Sequence, residues 1–254
     1  MQRFKGKSVI ITGGGRGIGK ACAERFAAEG AMVTVLDINK EIAHQAARSI
    51  HGLGLVCDVS DHRQVHEAVQ QTVRYFGRLD VLVANAGIYR SHPIVEDALD
   101  DWQLVLDVNL TGVFLSCHAA APFLIEQGGG SIVIMSSMAA KTSWPNTAAY
   151  SASKSGAIGL ARSVALELGM HNINCNAVCL GHADTEMMRE VDRHICAENN
   201  WPPGTYLKQL AESNPMRRLA RVEEVAALVA FLASEEARYI NGQAIEIDGG
   251  LIMS

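Results

Sequence analysis

The sequence predicts an α/β protein: a single Rossmann-type, doubly wound parallel sheet of about seven strands with helices on both faces. Three observations carry that expectation. Short β-branched runs alternate with longer helical patterns along the chain. Most strand candidates are apolar on both faces, as a parallel sheet covered on both sides requires. The first strand also runs directly into a glycine-rich turn that opens a helix.

The strand candidates, in order, are residues 8–12, 32–36, 54–57, 81–84, 131–135, 173–178 and 244–247. Helical patterns fill residues 17–29, 40–50, 63–76, 100–126, 149–170 and 222–232. Gly30, Gly77 and Gly169 fall near helix ends, where a left-handed cap favours glycine. Asn39 and Asp61 suit helix N-caps. Residues 1–254 read as one dinucleotide-binding and catalytic domain. Residues 184–219 break the rhythm; with Pro202-Pro203-Gly204 and Pro215 they are too long for a simple connection and read as a substrate-covering insert.

Composition narrows the function. Apolar residues make up 48% and charged residues 19%, an ordinary globular balance. The net charge of -5, with no basic block, gives nucleic acid no electrostatic footing. Six cysteines without a C-x-x-C pair read as buried, reduced thiols of a cytoplasmic protein. The N-terminus enters a strand-like run directly, so no signal peptide is expected. No stretch of about 18 apolar residues is evident, so no membrane span is expected either. The nine histidines offer no convincing ligand spacing, and no metal site is expected.

The turn after the first strand reads Thr12-Gly13-Gly14-Gly15-Arg16-Gly17-Ile18-Gly19. Glycines there let the backbone turn tightly and approach a pyrophosphate, and the helix N-terminus offers unpaired N–H groups. The spacing, glycines at 13, 17 and 19, departs from the G-x-G-x-x-G fingerprint. Asp37 ends the second strand, 18 residues after Gly19. It can accept bonds from adenosine ribose hydroxyls and repel the extra phosphate of NADP, or it can simply cap the next helix. Arg16 and Lys40 are nearby cations that soften the preference, so NAD is favoured and NADP is less expected. Asp58 can reach the adenine or serve as a turn carboxylate. Asn85-Ala86-Gly87 closes the fourth strand with small residues that leave room for a cofactor.

Tyr150 and Lys154 are four apart on a helical pattern and share one face. Moving a hydride to or from a carbinol carbon needs a matched proton transfer at the oxygen. A free tyrosine, with a pKa of about 10, is a poor base near neutrality. A neighbouring ammonium and an oxidised nicotinamide both favour the phenolate. Ser136 and Ser137, just past the fifth strand, can each bond a substrate oxygen, and spacing alone does not separate them.

Together these residues resemble the short-chain dehydrogenase/reductase family over essentially the whole chain. The matching features are Thr12-Gly13-x-x-x-Gly17-x-Gly19, Asp58-Val59, Asn85-Ala86-Gly87, Asn109, Ser137, Tyr150-x-x-x-Lys154 and Asp248-Gly249-Gly250. The family places its active serine 13 residues before its tyrosine, which selects Ser137. The resemblance implies a catalytic set of Asn109, Ser137, Tyr150 and Lys154, with Asn109 holding a water that links Lys154 to solvent. Without the resemblance, Asn109 is only a polar residue bonded locally to backbone. It also implies cofactor contacts from Gly13, Arg16, Gly17, Ile18 and Gly19, from Asp37, Ile38, Asp58 and Val59, and from Asn85, Ala86 and Gly87. Tyr150, Lys154, Gly181, Ala183 and Thr185 complete that set. One departure stands out: Leu180-Gly181 replaces the family's usual Pro-Gly after the sixth strand.

Substrate contacts are expected from Ser137, Trp144, His182 and Met187, with Tyr89, Met188, Val191 and Trp201 as further wall residues. His182 is equally readable as a plain loop histidine. The insert and the C-terminal end are similar to those of polyol, sugar and diol dehydrogenases, which implies a small hydroxylated substrate. Family members commonly pair through the helices at 100–126 and 149–170, implying a homotetramer. Two other readings stand beside this one: an NADPH-linked 3-oxoacyl carrier-protein reductase, and a dinucleotide-sensing regulatory protein.

Overall fold

The computed structural model describes residues 2–253. The first half of the sheet is built from β1 (Ser8–Thr12), β2 (Met32–Asp37), β3 (Leu53–Val56) and β4 (Val81–Ala84). Between them lie α1 (Gly17–Ala28), α2 (Lys40–Ser49) and α3 (His62–Phe76). The second half carries α4 (Leu99–Leu106), α5 (Gly112–Glu126), β5 (Gly130–Ser137), α6 (Ala148–Leu168) and β6 (Ile173–Leu180). It continues with α7 (Glu186–Glu198), α8 (Thr205–Ser213), α9 (Val222–Leu232) and β7 (Ala244–Ile247).

The seven strands are parallel, in the order β3-β2-β1-β4-β5-β6-β7. Strand order reverses between β1 and β4, and ligands of open α/β sheets bind at the carboxyl edge there. Alternate side chains feed two apolar layers. Ile10 packs with α3, α5 and α6 on one face. Val9 and Ile11 pack with α1, α2 and α9 on the other. All six cysteines are buried and unbridged.

The structure amends several expectations. The third strand ends one residue earlier than expected, and Cys57 follows it. Gly30 and Gly77 are left-handed at their helix ends, but Gly169 is right-handed (φ -58°) and continues into a short 3-10 turn. The reversal falls instead on Asn172 (φ 59°), whose amide side chain tolerates that region. The helix expected over 100–126 starts at Leu99 and contains a π turn at Asp107–Thr111, closed by the Gly112 N–H on the Asp107 carbonyl. Leu99–Glu126 is, in addition, long and apolar enough to cross a membrane by length and composition. In this fold its α5 portion packs on α3, β4, β5 and α6.

The insert is helical. Asp192 on α7 accepts the N–H groups of Gly204 (2.8 Å) and Leu207 (3.0 Å), so a side chain of one helix caps the start of the next. That capping explains how a segment rich in proline holds a fixed shape.

At the amino edge, Asp80 joins β1 to β4. Its carboxylate accepts the Ser8 N–H (2.9 Å), two bonds from Arg78 (2.7 and 2.6 Å), and lies 3.3 Å from Lys7. Burial pushes this carboxyl up, but the Arg78 and Ser8 bonds and the Lys7 charge outweigh it and hold the pKa below its ordinary value. A carboxyl held low stabilises the fold above its unfolded pKa, and that contribution is lost as pH falls through the folded value. Asp80→Ala is therefore expected to destabilise the protein by about 2–3 kcal/mol at neutral pH, since it leaves the Ser8 N–H buried and unpaired. Urea unfolding checks this, and the gap to wild type should narrow on acidification below pH about 4.

Candidate active site

The residues singled out by sequence converge on the carboxyl edge of the sheet. Thr12 ends β1, and its hydroxyl accepts the backbone N–H groups of Asn85 (2.9 Å) and Ala86 (3.0 Å) just past β4. The Asn85 amide returns two bonds, to the carbonyls of Thr12 (2.9 Å) and Gly13 (3.0 Å). The glycine turn is thereby stitched to the end of β4 across the reversal in strand order. In the sequence Thr12 stands only as the first residue of the glycine motif; its stitching to Asn85 and Ala86 is a tertiary contact.

In the turn, backbone blocks a side chain at Gly19, and one at Gly15 would press on Asp37 and Ile42. A Cβ on Gly19 would stand 2.1 Å from the Gly13 carbonyl oxygen, and one on Gly15 would stand 2.7 Å from an Asp37 carboxylate oxygen. Such a cradle, with bare backbone at the start of α1, fits a pyrophosphate. Asp37 accepts the N–H groups of Gly15 (3.2 Å) and Asn39 (3.1 Å). It is not the cap of α2; that part falls to Asn39, which accepts the Ile42 N–H. Arg16 and Ile38 flank this end of the crevice as exposed side chains. Asp58 forms a turn, accepting both the N–H and hydroxyl of Ser60, while Val59 packs against Gly112.

On the other side of the crevice, Lys154 is buried on α6 and donates to the Met135 carbonyl at 2.9 Å. Ser136 donates to the Lys154 carbonyl at 2.9 Å, so its hydroxyl is engaged in bolting α6 to β5. The Ser137 hydroxyl accepts the Ala139 N–H at 3.1 Å and lies close enough to Tyr150 to lower the pKa of its phenol. The geometry thus separates two serines that spacing left equivalent. Burial lowers the Lys154 pKa to about 8, with Cys179 opposing. Burial raises the Tyr150 pKa, opposed by nearby Ser137 and reinforced by Tyr89. The ammonium beside the ring (5.7 Å to its centroid) does not by itself produce a phenolate.

Asn109 sits fully buried in the π turn. Its bonds are not local: its Nδ2 donates to the Ile88 carbonyl (2.9 Å) and to Ser153 Oγ (3.2 Å), and its Oδ1 accepts the Ile88 N–H (2.8 Å). A Cβ on Gly87 would lie 3.3 Å from Asn109 Oδ1 and 3.4 Å from Lys154 Nζ, so the two polar heads flank one small space.

The loop after β6 lacks proline but is tied down by backbone bonds. Ala183 bridges to Ala220, with the Asp184 N–H on the Ala220 carbonyl and the Ala220 N–H on the His182 carbonyl, both 2.9 Å. Gly181 packs so tightly on Asp248 that a Cβ would stand 2.8 Å from the Asp248 Cα. Thr185 caps α7 and lies beside Gly17. The half-buried His182 faces Trp144, with ring centroids 6.5 Å apart. Tyr89 meets Tyr150 edge-on at 5.1 Å. From the insert, Tyr206 on α8 comes within electrostatic reach of Tyr89, a placement that sequence did not flag. Met187 and Trp201 are exposed, and Met188 and Val191 are half-buried on α7. Among the described residues no cluster suits a metal ion.

A family model described as enoyl-(acyl carrier protein) reductase matches residues 13–252. The chain is a short-chain dehydrogenase/reductase. It is 39% identical to a 3-oxoacyl-(acyl-carrier-protein) reductase FabG of Thermotoga maritima, over 99% of this chain and 100% of that one. It is 37% identical to a D-threitol dehydrogenase of Mycolicibacterium smegmatis, over 98% and 94%. The crystal structure of a levodione reductase superposes with a TM-score of 0.94 at 35% identity, covering 98% of each chain. As a short-chain dehydrogenase/reductase, the protein is an oxidoreductase acting on alcohols or ketones with a nicotinamide cofactor.

The cradle makes a direct prediction. Gly19→Ala is expected to cost about 1–3 kcal/mol of stability through overpacking. It should also weaken nicotinamide dinucleotide binding, because the turn must shift away from Asn85. Urea unfolding and a fluorescence titration with the dinucleotide measure the two effects.

Proposed function

We propose that the protein is an NAD-dependent dehydrogenase of small hydroxylated substrates: a polyol, a sugar or a diol. The observation that carries this reading is the convergence of Ser137, Tyr150 and buried Lys154 at the carboxyl edge, across from a glycine cradle gated by Asp37. When bound, the nicotinamide takes or gives the hydride. The chain's own residues handle the proton. Ser137 holds the reacting oxygen, and Tyr150 exchanges a proton with it. Lys154 supplies positive charge next to the phenol and a bond for the nicotinamide ribose. Asn109 holds the polar space beside Lys154 through which a proton can reach solvent.

Asp37 favours NAD, because its carboxylate lies against the Gly15 N–H where an extra phosphate would meet its charge. The threitol relative supports a polyol substrate. Exposed Phe114 and Ile125 on α5, with Leu166 on α6 and Met170 beyond it, support assembly as a homotetramer. The six buried cysteines support a reducing, cytoplasmic setting.

A second reading, reduction of a 3-oxoacyl carrier-protein substrate with NADPH, is favoured by the Thermotoga maritima relative. Comparing turnover with NAD and NADP on diols and on a 3-oxoacyl thioester separates the two, and NAD with a diol is the expected best pair. A dinucleotide-sensing role without turnover is disfavoured by the intact Ser137, Tyr150 and Lys154. The catalytic assignment is tested by Tyr150→Phe, which should lower turnover about 100-fold or more while leaving dinucleotide affinity nearly unchanged. Near-normal turnover would refute the assignment.

A further inference from the structure

Among the described residues, three buried polar side-chain atoms lack a hydrogen-bond partner: Ser8 Oγ, Asn174 Oδ1 and His182 Nδ1. Ser8 opens β1 and Asn174 lies near the start of β6, so both belong to the amino edge. His182 alone stands at the carboxyl edge. It lies two residues beyond Leu180, which is paired in register with Ser137 on the neighbouring strand. A buried N–H without a partner is costly, so the orphaned Nδ1 bears on which ring nitrogen carries the proton.

The position is not slack. The Gly181 N–H bonds the Ile247 carbonyl at 3.0 Å, and the His182 carbonyl accepts from Ala220 at 2.9 Å. The ring is flanked by Trp144, which comes from the loop after β5. Burial lowers the pKa of the imidazole below its ordinary value, so the ring is neutral at neutral pH and carries one proton. Nδ1 is closed off from solvent and protein bonds alike. A proton there would have nothing to bond, so the stable tautomer carries it on Nε2. Nε2, which is not enclosed as Nδ1 is, then carries the ring's single N–H donor.

We propose that His182 is a specificity-determining residue whose Nε2–H donates to an oxygen on the carbon next to the reacting one, so that vicinal diols and their hydroxyketone counterparts are preferred over isolated secondary alcohols. This rests on the reading above, in which Ser137 and Tyr150 hold the reacting oxygen. Ser137 is paired with Leu180 on the neighbouring strand, and His182 follows two residues beyond Leu180, so the two residues stand at adjoining strand ends where neighbouring oxygens of one small substrate can be read together. A site built to bond a substrate oxygen rejects the analogue that lacks it, because the donor is then left unpaired.

The test compares propylene glycol with isopropanol, two alcohols that differ by the neighbouring hydroxyl. Wild type, His182→Leu and His182→Gln are measured for kcat/KM with NAD. The affinity of each enzyme–NADH complex for propylene glycol is measured by calorimetry, which needs no turnover. His182→Leu is expected to lose about tenfold or more on propylene glycol, chiefly through KM and with a matching loss of affinity, while isopropanol changes little. His182→Gln, which restores an N–H donor, should recover most of the loss. An unchanged preference and affinity in His182→Leu would overturn the proposal, as would equal losses on both alcohols. If wild type oxidises neither alcohol but the affinity falls in His182→Leu, the specificity site stands and the catalytic reading fails.

Discussion

The burial of Lys154 organises the site. An ammonium taken out of water must be compensated, and here the compensation is one bond to the Met135 carbonyl on β5. The return bond from Ser136 to the Lys154 backbone fixes the helix to the strand a second time. With α6 held in that register, Tyr150 falls one turn earlier on the same face and meets Ser137 at the end of β5. Desolvation has a second consequence. It draws the Lys154 pKa down to about 8 and pushes Tyr150 up. The protein's own groups therefore favour the protonated phenol, and in the proposed mechanism the further charge that favours ionisation would come with the cofactor.

The opposite wall is set by sterics. The Thr12 hydroxyl and the Asn85 amide tie the glycine turn to β4, and the absence of a Cβ at Gly19 lets the Gly13 carbonyl approach α1. Asn109 does similar work for the loop after β4. The π turn adds one residue to a helical turn, and π turns of this kind recur at functional sites. Here the turn carries a buried amide bonded in both directions to Ile88. Both walls are thus held by polar side chains satisfied by backbone of another element.

Much of this was legible in the sequence. Parallel, doubly buried strands announce themselves as apolar runs, and the helices between them follow from their period. The glycine turn, Asp37 and the Tyr150–Lys154 pair are local patterns, and the distance from Ser137 to Tyr150 tied them into one site. What escaped detection depends on tertiary contact. A π turn inside the apolar run 99–126 shifts the period by one residue and leaves no compositional trace. The Asp192 cap joins two helices through a loop. The cross-bond between Ala183 and Ala220 replaces a missing proline with backbone pairing. Gly169 looked like a left-handed cap, but Asn172 takes that conformation. Tyr150 was expected to be acidified by Lys154 together with an oxidised nicotinamide; burial, which raises its pKa in the protein alone, is not a property of spacing.

The central claim is that Tyr150 ionises only when the oxidised cofactor's charge is added to that of Lys154. A tyrosinate difference titration by ultraviolet absorbance, run with and without NAD and with Tyr150→Phe as the blank, tests it most directly. The account predicts no Tyr150 signal below pH about 10 in the protein alone, and a signal displaced to lower pH once NAD is bound. A Tyr150 titration that falls at the same pH in both samples would contradict it.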